Sequence, residues 1–147
     1  ELNTLLEQVG VLSRNEWKDY AVLTTDLQTD LPAVPCIQGS LVQVLLNIIV
    51  NAAHALKDKR PKDAKIHLGT RRTSSGVAIT ITDNGGGIPE AIQARIFEPF
   101  FTTKEVGSGS GQGLAIARSI VEEGHKGKLT FSSTPEVGTT FTIELPV

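Results

Sequence analysis

The run LLNIIVNAAHAL, residues 45–56, is apolar except for Asn47, Asn51 and His54. With Gln43 upstream, these positions step by four, four and three, so on a helix they share one face. A helix that is apolar nearly all round is buried. A buried amide with no partner costs roughly 1–3 kcal/mol. The polar stripe therefore needs partners, which could be other polar groups of the core, water, or a ligand in a cleft. A second candidate is Asp83 in ITDNGGGIP, at the end of a strand-like run and followed by Gly85, Gly86 and Gly87. Aspartate is common at turns for local reasons. Three consecutive glycines lose much conformational entropy on folding and suit backbone that takes unusual dihedrals or passes close to a ligand. A carboxylate on the floor of such a pocket can accept a hydrogen bond from an amino group.

A third region is the glycine alternation GSGSGQGLA, with Gly107, Gly109, Gly111 and Gly113. It lacks the strand and the third spacing of a dinucleotide-binding fingerprint. It is also not a P-loop, because Gly127-Lys128 is followed by Leu129 and Glu122 stands at the first-glycine position. It does lead into a helix, whose first amides can bind phosphate oxygens. Lys104 just upstream could reach a phosphate. A floppy linker and a solvated lysine are the plain alternatives. Phe97, Phe100 and Phe101 read as anchors of this loop on the core.

The elements that must position these groups are legible in outline. Leu2, Leu5, Leu6, Val9 and Leu12 predict an amphipathic helix at the start. YAVLTTDLQ reads as a strand, and TDLPAVPCIQGS as a loop with Pro32, Pro35 and Gly39 as breakers. Ser40 and Gln43 have capping-box spacing, so the long helix is expected to start at Ser40 and to run to about Lys59, before Pro61. KIHLGTRRT and GVAITITD predict a hairpin whose Val77, Ile79 and Ile81 share a core face with Ile66 and Leu68. Pro89 can open a short helix to Arg95. LAIARSIVEEG predicts a helix from about Gly113 to Gly124, and KLTFSST and TTFTIELP two final strands. Adjacent strand pairs, not strictly alternating with helices, favour an α+β two-layer sandwich with helices on one face of a mixed sheet.

Bulk properties exclude several roles. A chain of 147 residues suits one domain over 1–147. Its formal charge of −2 offers no electrostatic grip on nucleic acid or anionic lipid. No uninterrupted apolar run reaches the ~18 residues of a membrane span. The single cysteine, Cys36, points to a reducing, cytoplasmic setting and an ordinary loop role.

Together these stretches resemble the catalytic, ATP-binding domain of sensor histidine kinases, with the Bergerat-type fold shared with gyrase, mismatch-repair ATPases and heat-shock chaperones. LLNIIVNAAHA resembles the N box, DNGGGI the G1 box, IFEPFFTTK the F box of nitrogen-regulation-type kinases, GSGQGLAIA the G2 box, and GTTF at 138–141 the final glycine box. The likeness covers essentially the whole chain. It implies that Asn51 binds Mg²⁺ and Asn47 lies beside the phosphates, with His54 where the family often has a basic residue. It implies further that Asp83 accepts the adenine amino group, with Gly85, Gly87, Ile88 and Thr139 around the base. Thr103 and Lys104 fall in the lid. Gly109, Ser110, Gly111, Gln112, Gly113 and Leu114 fall in the segment that wraps the triphosphate. Gln112 departs from the leucine usual at its position, which exposes an amide to the lid.

The resemblance also separates branches. Hydrolysing relatives carry a glutamate one helical turn before the Mg²⁺ asparagine, as general base for water. Here that position is Asn47, and an amide cannot take a proton at neutral pH. This implies a site that holds Mg-ATP but hydrolyses it poorly, as in a kinase whose acceptor imidazole is the nucleophile. The family's acceptor histidine is normally followed by an acidic residue. Here His54 precedes Ala55, His67 precedes Leu68, and His125 precedes Lys126. The acceptor is therefore expected on separate dimerisation and phosphoacceptor helices absent from this chain, with a response regulator downstream. Alone, the chain is expected to bind ATP without phosphorylating itself, and His67 and His125 are expected to be exposed or structural.

Overall fold

A computed structural model describes residues 2–98 and 113–147. Helix α1 (Leu2–Trp17) leads into strand β1 (Val22–Leu27), and the long helix α2 spans Gln38–Lys59. Strands β2 (Lys65–Arg72) and β3 (Gly76–Asp83) form the expected hairpin. A one-turn helix α3 (Glu90–Gln93) follows Pro89. Beyond residues 99–112 come α4 (Gly113–Ser119), a π turn (Ile120–Gly124), β4 (Lys128–Thr134) and β5 (Gly138–Pro146).

The strands make one mixed sheet in the order β1-β2-β3-β5-β4. Only β1 and β2 run parallel; the other pairs are antiparallel. The alternation of side chains across each strand gives the sheet two faces. Ile66, Leu68, Val77, Ile79, Ile81, Leu129, Ile143 and Leu145 are buried on one face, against α1, α2 and the α4 segment. The other face carries Thr24, His67, Thr80, Thr82, Thr140 and Thr142, all half-buried, with His67 Nδ1 2.6 Å from Thr24 Oγ1. This is the α+β sandwich that the strand order of the sequence anticipates.

Helix α1 buries Leu2, Leu5, Leu6 and Val9 as expected, but Leu12 is 64% exposed. The next inward position is Ser13, four residues after Val9. Its hydroxyl bonds Gly10 O at 3.2 Å and accepts Trp17 Nε1–H at 3.1 Å, which satisfies a polar group in the core.

Helix α2 also starts differently from the capping-box expectation. Its N-cap is Ile37, with φ −93° and ψ 105°, whose own side chain makes no cap hydrogen bond. Ser40 and Gly39 lie inside the first turn, and Gln43 is exposed, so Gln43 stands outside the half-buried stripe. At the other end Arg60, with φ 46°, closes the helix. By length and mean hydropathy α2 could cross a membrane in spite of its polar stripe. Here Leu41, Val44, Leu45, Ile48, Ile49, Ala52, Ala53 and Leu56 are instead buried in the core. Phe97 is the anchor the sequence suggested, packing on Phe131 and Phe141 with ring centroids 5.9 and 6.5 Å away. Phe100 and Phe101 lie outside the described residues.

Candidate functional site

The sheet register brings one polar row to the core face beyond the last isoleucines. Asp83, Thr139 and Ser133 are paired across β3, β5 and β4, with Ile66 of β2 beside Asp83. Asp83 is only 7% exposed and Thr139 6%. Burial pushes the Asp83 carboxyl up from 3.8 to about 6, and the Gly85 amide, donating to Oδ1 at 2.9 Å, offsets only part of that. A carboxylate withdrawn from water and held by one backbone amide retains acceptor capacity for a further donor.

The glycine loop is shaped by its neighbours. Gly87 has φ +73°, and a Cβ there would stand 2.3 Å from Thr134 O, so both conformation and space call for glycine. A Cβ on Gly85 would meet Ala55 of α2 at 3.0 Å, so this loop lies directly against the helix. Ile88 packs on the core. Its amide donates to Ser133 Oγ at 2.7 Å, and its carbonyl accepts from Gln93 Nε2 at 2.8 Å. Ser133 Oγ also lies 2.9 Å from Thr139 Oγ1 and 3.2 Å from Gly138 O. Ser133 is thus a knot between the loop after Asp83 and the β4–β5 turn. No motif marked it, although a tight turn at residues 135–137 already implies that positions 133 and 139 pair.

Along α2 the stripe continues to Ala55, four residues after Asn51. Ala55 abuts Gly85 at one end, and Asn47 Nδ2 donates to Gly113 O at 3.2 Å at the other. Asn51 lies between, on the same face, within a stretch of about 12 Å at 1.5 Å per residue. Asn47, Asn51 and His54 are all half-buried. Because a carbonyl can only accept, the Gly113 bond also fixes which way the Asn47 amide points. Gly113 and Leu114 open α4, both half-buried, with Leu114 packed on the core.

The structure therefore sets Asn47, Asn51, Asp83, Gly85, Gly87, Ile88, Gly113, Leu114 and Thr139 along α2 from its middle towards its C-terminal end, with His54 half-buried on the same stripe. Thr103, Lys104, Gly109, Ser110, Gly111 and Gln112 lie outside the described residues. The other two histidines are structural. His67 sits on the open sheet face against Thr24, and His125 is buried with both ring nitrogens engaged.

The sequence profile of the family described as "Histidine kinase-, DNA gyrase B-, and HSP90-like ATPase" matches residues 36–147. The signal transduction histidine-protein kinase AtoS of Escherichia coli (strain K12) is 39% identical over 148 residues, which is 99% of this chain and 23% of AtoS. The chain thus spans under a quarter of that relative. Among solved structures, the nucleotide-free catalytic domain of histidine kinase ThkA superposes with a TM-score of 0.83 at 31% identity, covering 99% of this chain and 93% of that one. Full-length ShkA in complex with AMPPNP superposes with a TM-score of 0.84 at 27% identity, covering 99% of this chain and 30% of ShkA. This chain belongs to the histidine kinase-, DNA gyrase B- and HSP90-like ATPase family and has the fold of its histidine kinase catalytic domains.

Proposed function

We propose that this domain binds Mg-ATP in the cleft between α2 and the Asp83 loop, and donates the γ-phosphoryl group to a histidine on a separate phosphoacceptor domain of a two-component sensor kinase. The observation that carries this reading is the pairing of a buried carboxylate at the sheet end with an uncharged asparagine stripe on α2. The nucleotide bound by the similar kinase ShkA supports it. Asp83 suits the adenine amino group, because a buried acceptor selects a donor. Ile88 and Thr139 border the base. Asn47, Asn51 and His54 face the phosphates, and Thr103, Lys104 and the segment Gly109–Leu114 complete the wrap in this proposal.

Among the described residues there is no group of three or more His, Cys, Asp or Glu that could hold a metal by themselves. That fits Mg²⁺, which keeps several waters and takes substrate phosphates with one or two protein oxygens. The Asn51 amide oxygen is the protein ligand in this reading. When bound, Mg²⁺ neutralises charge on the phosphates, and the protein's part is positioning. Asn47 cannot act as general base for water, so hydrolysis is expected to be slow.

The acceptor is external to this chain in the proposal. His125 and His67 are tied to Ile37, Ile120 and Thr24, and His54 sits on the nucleotide side of α2. A response regulator would then take the phosphoryl group from the acceptor, in the reducing cytoplasmic setting that unpaired Cys36 suits.

The test mixes the domain with Mg-ATP and the phosphoacceptor helices of its parent. Acid-labile phosphate on a histidine supports the proposal. Free phosphate released by the isolated domain supports an ATPase, and binding without transfer in any pairing supports a nucleotide-sensing module. Asn51→Ala is expected to abolish both transfer and the Mg²⁺ dependence of binding; normal transfer by that variant would remove the metal role.

A further inference from the structure

His125 joins two elements of the site without touching the cleft. It follows the π turn that ends the α4 segment and is 8% exposed. Its Nε2 accepts the Ile37 amide at 2.9 Å, and its Nδ1 lies 3.0 Å from Ile120 O. The chemistry of the partners fixes the ring. A backbone N–H only donates and a backbone carbonyl only accepts, so Nδ1 carries the proton and Nε2 is bare. Ile37 is the N-cap of α2, which no side chain of its own helix caps. Ile120 is the first residue of the π turn, where the helical ladder changes pitch.

The same two elements meet at a second hydrogen bond. Asn47 Nδ2 donates to Gly113 O, the first residue of α4. The start of α2 is thus tied to the end of the α4 segment, and the middle of α2 to its beginning. The two run antiparallel, pinned at points about 15 Å apart along α2 at 1.5 Å per residue. Two pins fix sliding as well as spacing; one pin alone would let α4 shift along α2.

We propose that His125 is a positioning residue for the cleft: by bridging Ile37 and Ile120 it sets the axial position of α4 on α2, and so holds Gly113 against Asn47. This rests on the cleft being the nucleotide site, but the bridge can be tested without nucleotide. In the wild-type domain, long-range nitrogen NMR should report His125 protonated at Nδ1 only. In His125→Leu the Asn47 side-chain amide resonances should move and the Ile37 amide should lose exchange protection, while the unfolding transition stays cooperative. Mg-ATP affinity should fall about tenfold, the scale of one lost hydrogen bond that orders a site. His125→Gln, which keeps an acceptor and a donor, should recover part of that loss, and it serves as the test variant if the leucine variant does not fold. A proton on Nε2, or unmoved Asn47 resonances in a folded variant, would overturn the bridge. Moved Asn47 resonances with nucleotide affinity unchanged within twofold would overturn its role in the site. If the wild-type domain binds no Mg-ATP, the function proposed above fails while the NMR outcome still decides the bridge.

Discussion

The two walls of the cleft are built by different physics. The Asp83 wall is a product of the sheet. Asp83, Thr139 and Ser133 come from three strands and are aligned only by register, and two of them are buried to 7% exposure or less. The α2 wall is a product of one helix. Asn47, Asn51 and His54 are local in sequence and half-buried, and the two asparagine amides carry no charge. The first wall concentrates a desolvated carboxylate in one place; the second spreads neutral dipoles along about 12 Å of helix. A desolvated charge discriminates strongly between donors, whereas neutral amides tolerate a mobile, highly charged phosphate chain and its cation. In the proposed function, base recognition falls to the first wall and phosphate handling to the second.

The largest expected effect breaks the Asp83 wall through pH. The folded-state carboxyl is raised from 3.8 to about 6, so the fold holds that proton more tightly than the unfolded chain does. The associated stability is fully present below pH 3.8 and is lost as pH rises through about 6. At 1.36 kcal/mol per unit this amounts to about 3 kcal/mol for the nucleotide-free domain. Urea unfolding across pH 3.5–7 should show the loss in the wild type and not in Asp83→Asn; parallel profiles would mean that the carboxyl is not desolvated. The same substitution at neutral pH should weaken Mg-ATP binding by roughly 1.5–3 kcal/mol, or about 10–150-fold, measured by calorimetry. An affinity within twofold of wild type would dissociate Asp83 from the base.

Smaller effects sharpen the contrast. Ser133→Ala strands the Ile88 amide in a partly buried place and should cost about 1–2 kcal/mol of stability in thermal or urea unfolding, with a smaller loss of nucleotide affinity. Asn47→Ala removes the bond to Gly113 O on the half-buried wall and should cost only about 1 kcal/mol. If Asn47→Ala proved costlier to stability than Ser133→Ala, the helix wall and not the sheet wall would be the more tightly built.

Much of this was open to reading from local pattern. The 3.6-residue period of residues 41–56 put Asn47, Asn51 and His54 on one face, and the alternation of KIHLGTRRT and GVAITITD paired β2 with β3. Both follow from steric periods that any chain obeys. Asp83 with its glycines was visible because a positive φ, as at Gly87, leaves a mark in residue type. Other readings failed where a distant group replaced a local one. Ser40 and Gln43 looked like a capping box, but His125, 88 positions from Ile37, takes the N-cap amide instead, and α2 begins at Gln38. Leu12 fitted the apolar period of α1, but the inward position is Ser13, acceptable there because Gly10 and Trp17 satisfy its hydroxyl.

By itself, then, the sequence determined the elements, the polar stripe and the glycine loop, since these depend on backbone periods and on which residues tolerate a given dihedral. Only the tertiary structure decided the parallel pairing of β1 with β2, the meeting of Asp83 with Thr139 and Ser133, and the carboxyl raised to about 6. Strand order and desolvation are properties of groups far apart in the chain. Their free energies exist only once those groups exclude water from one another.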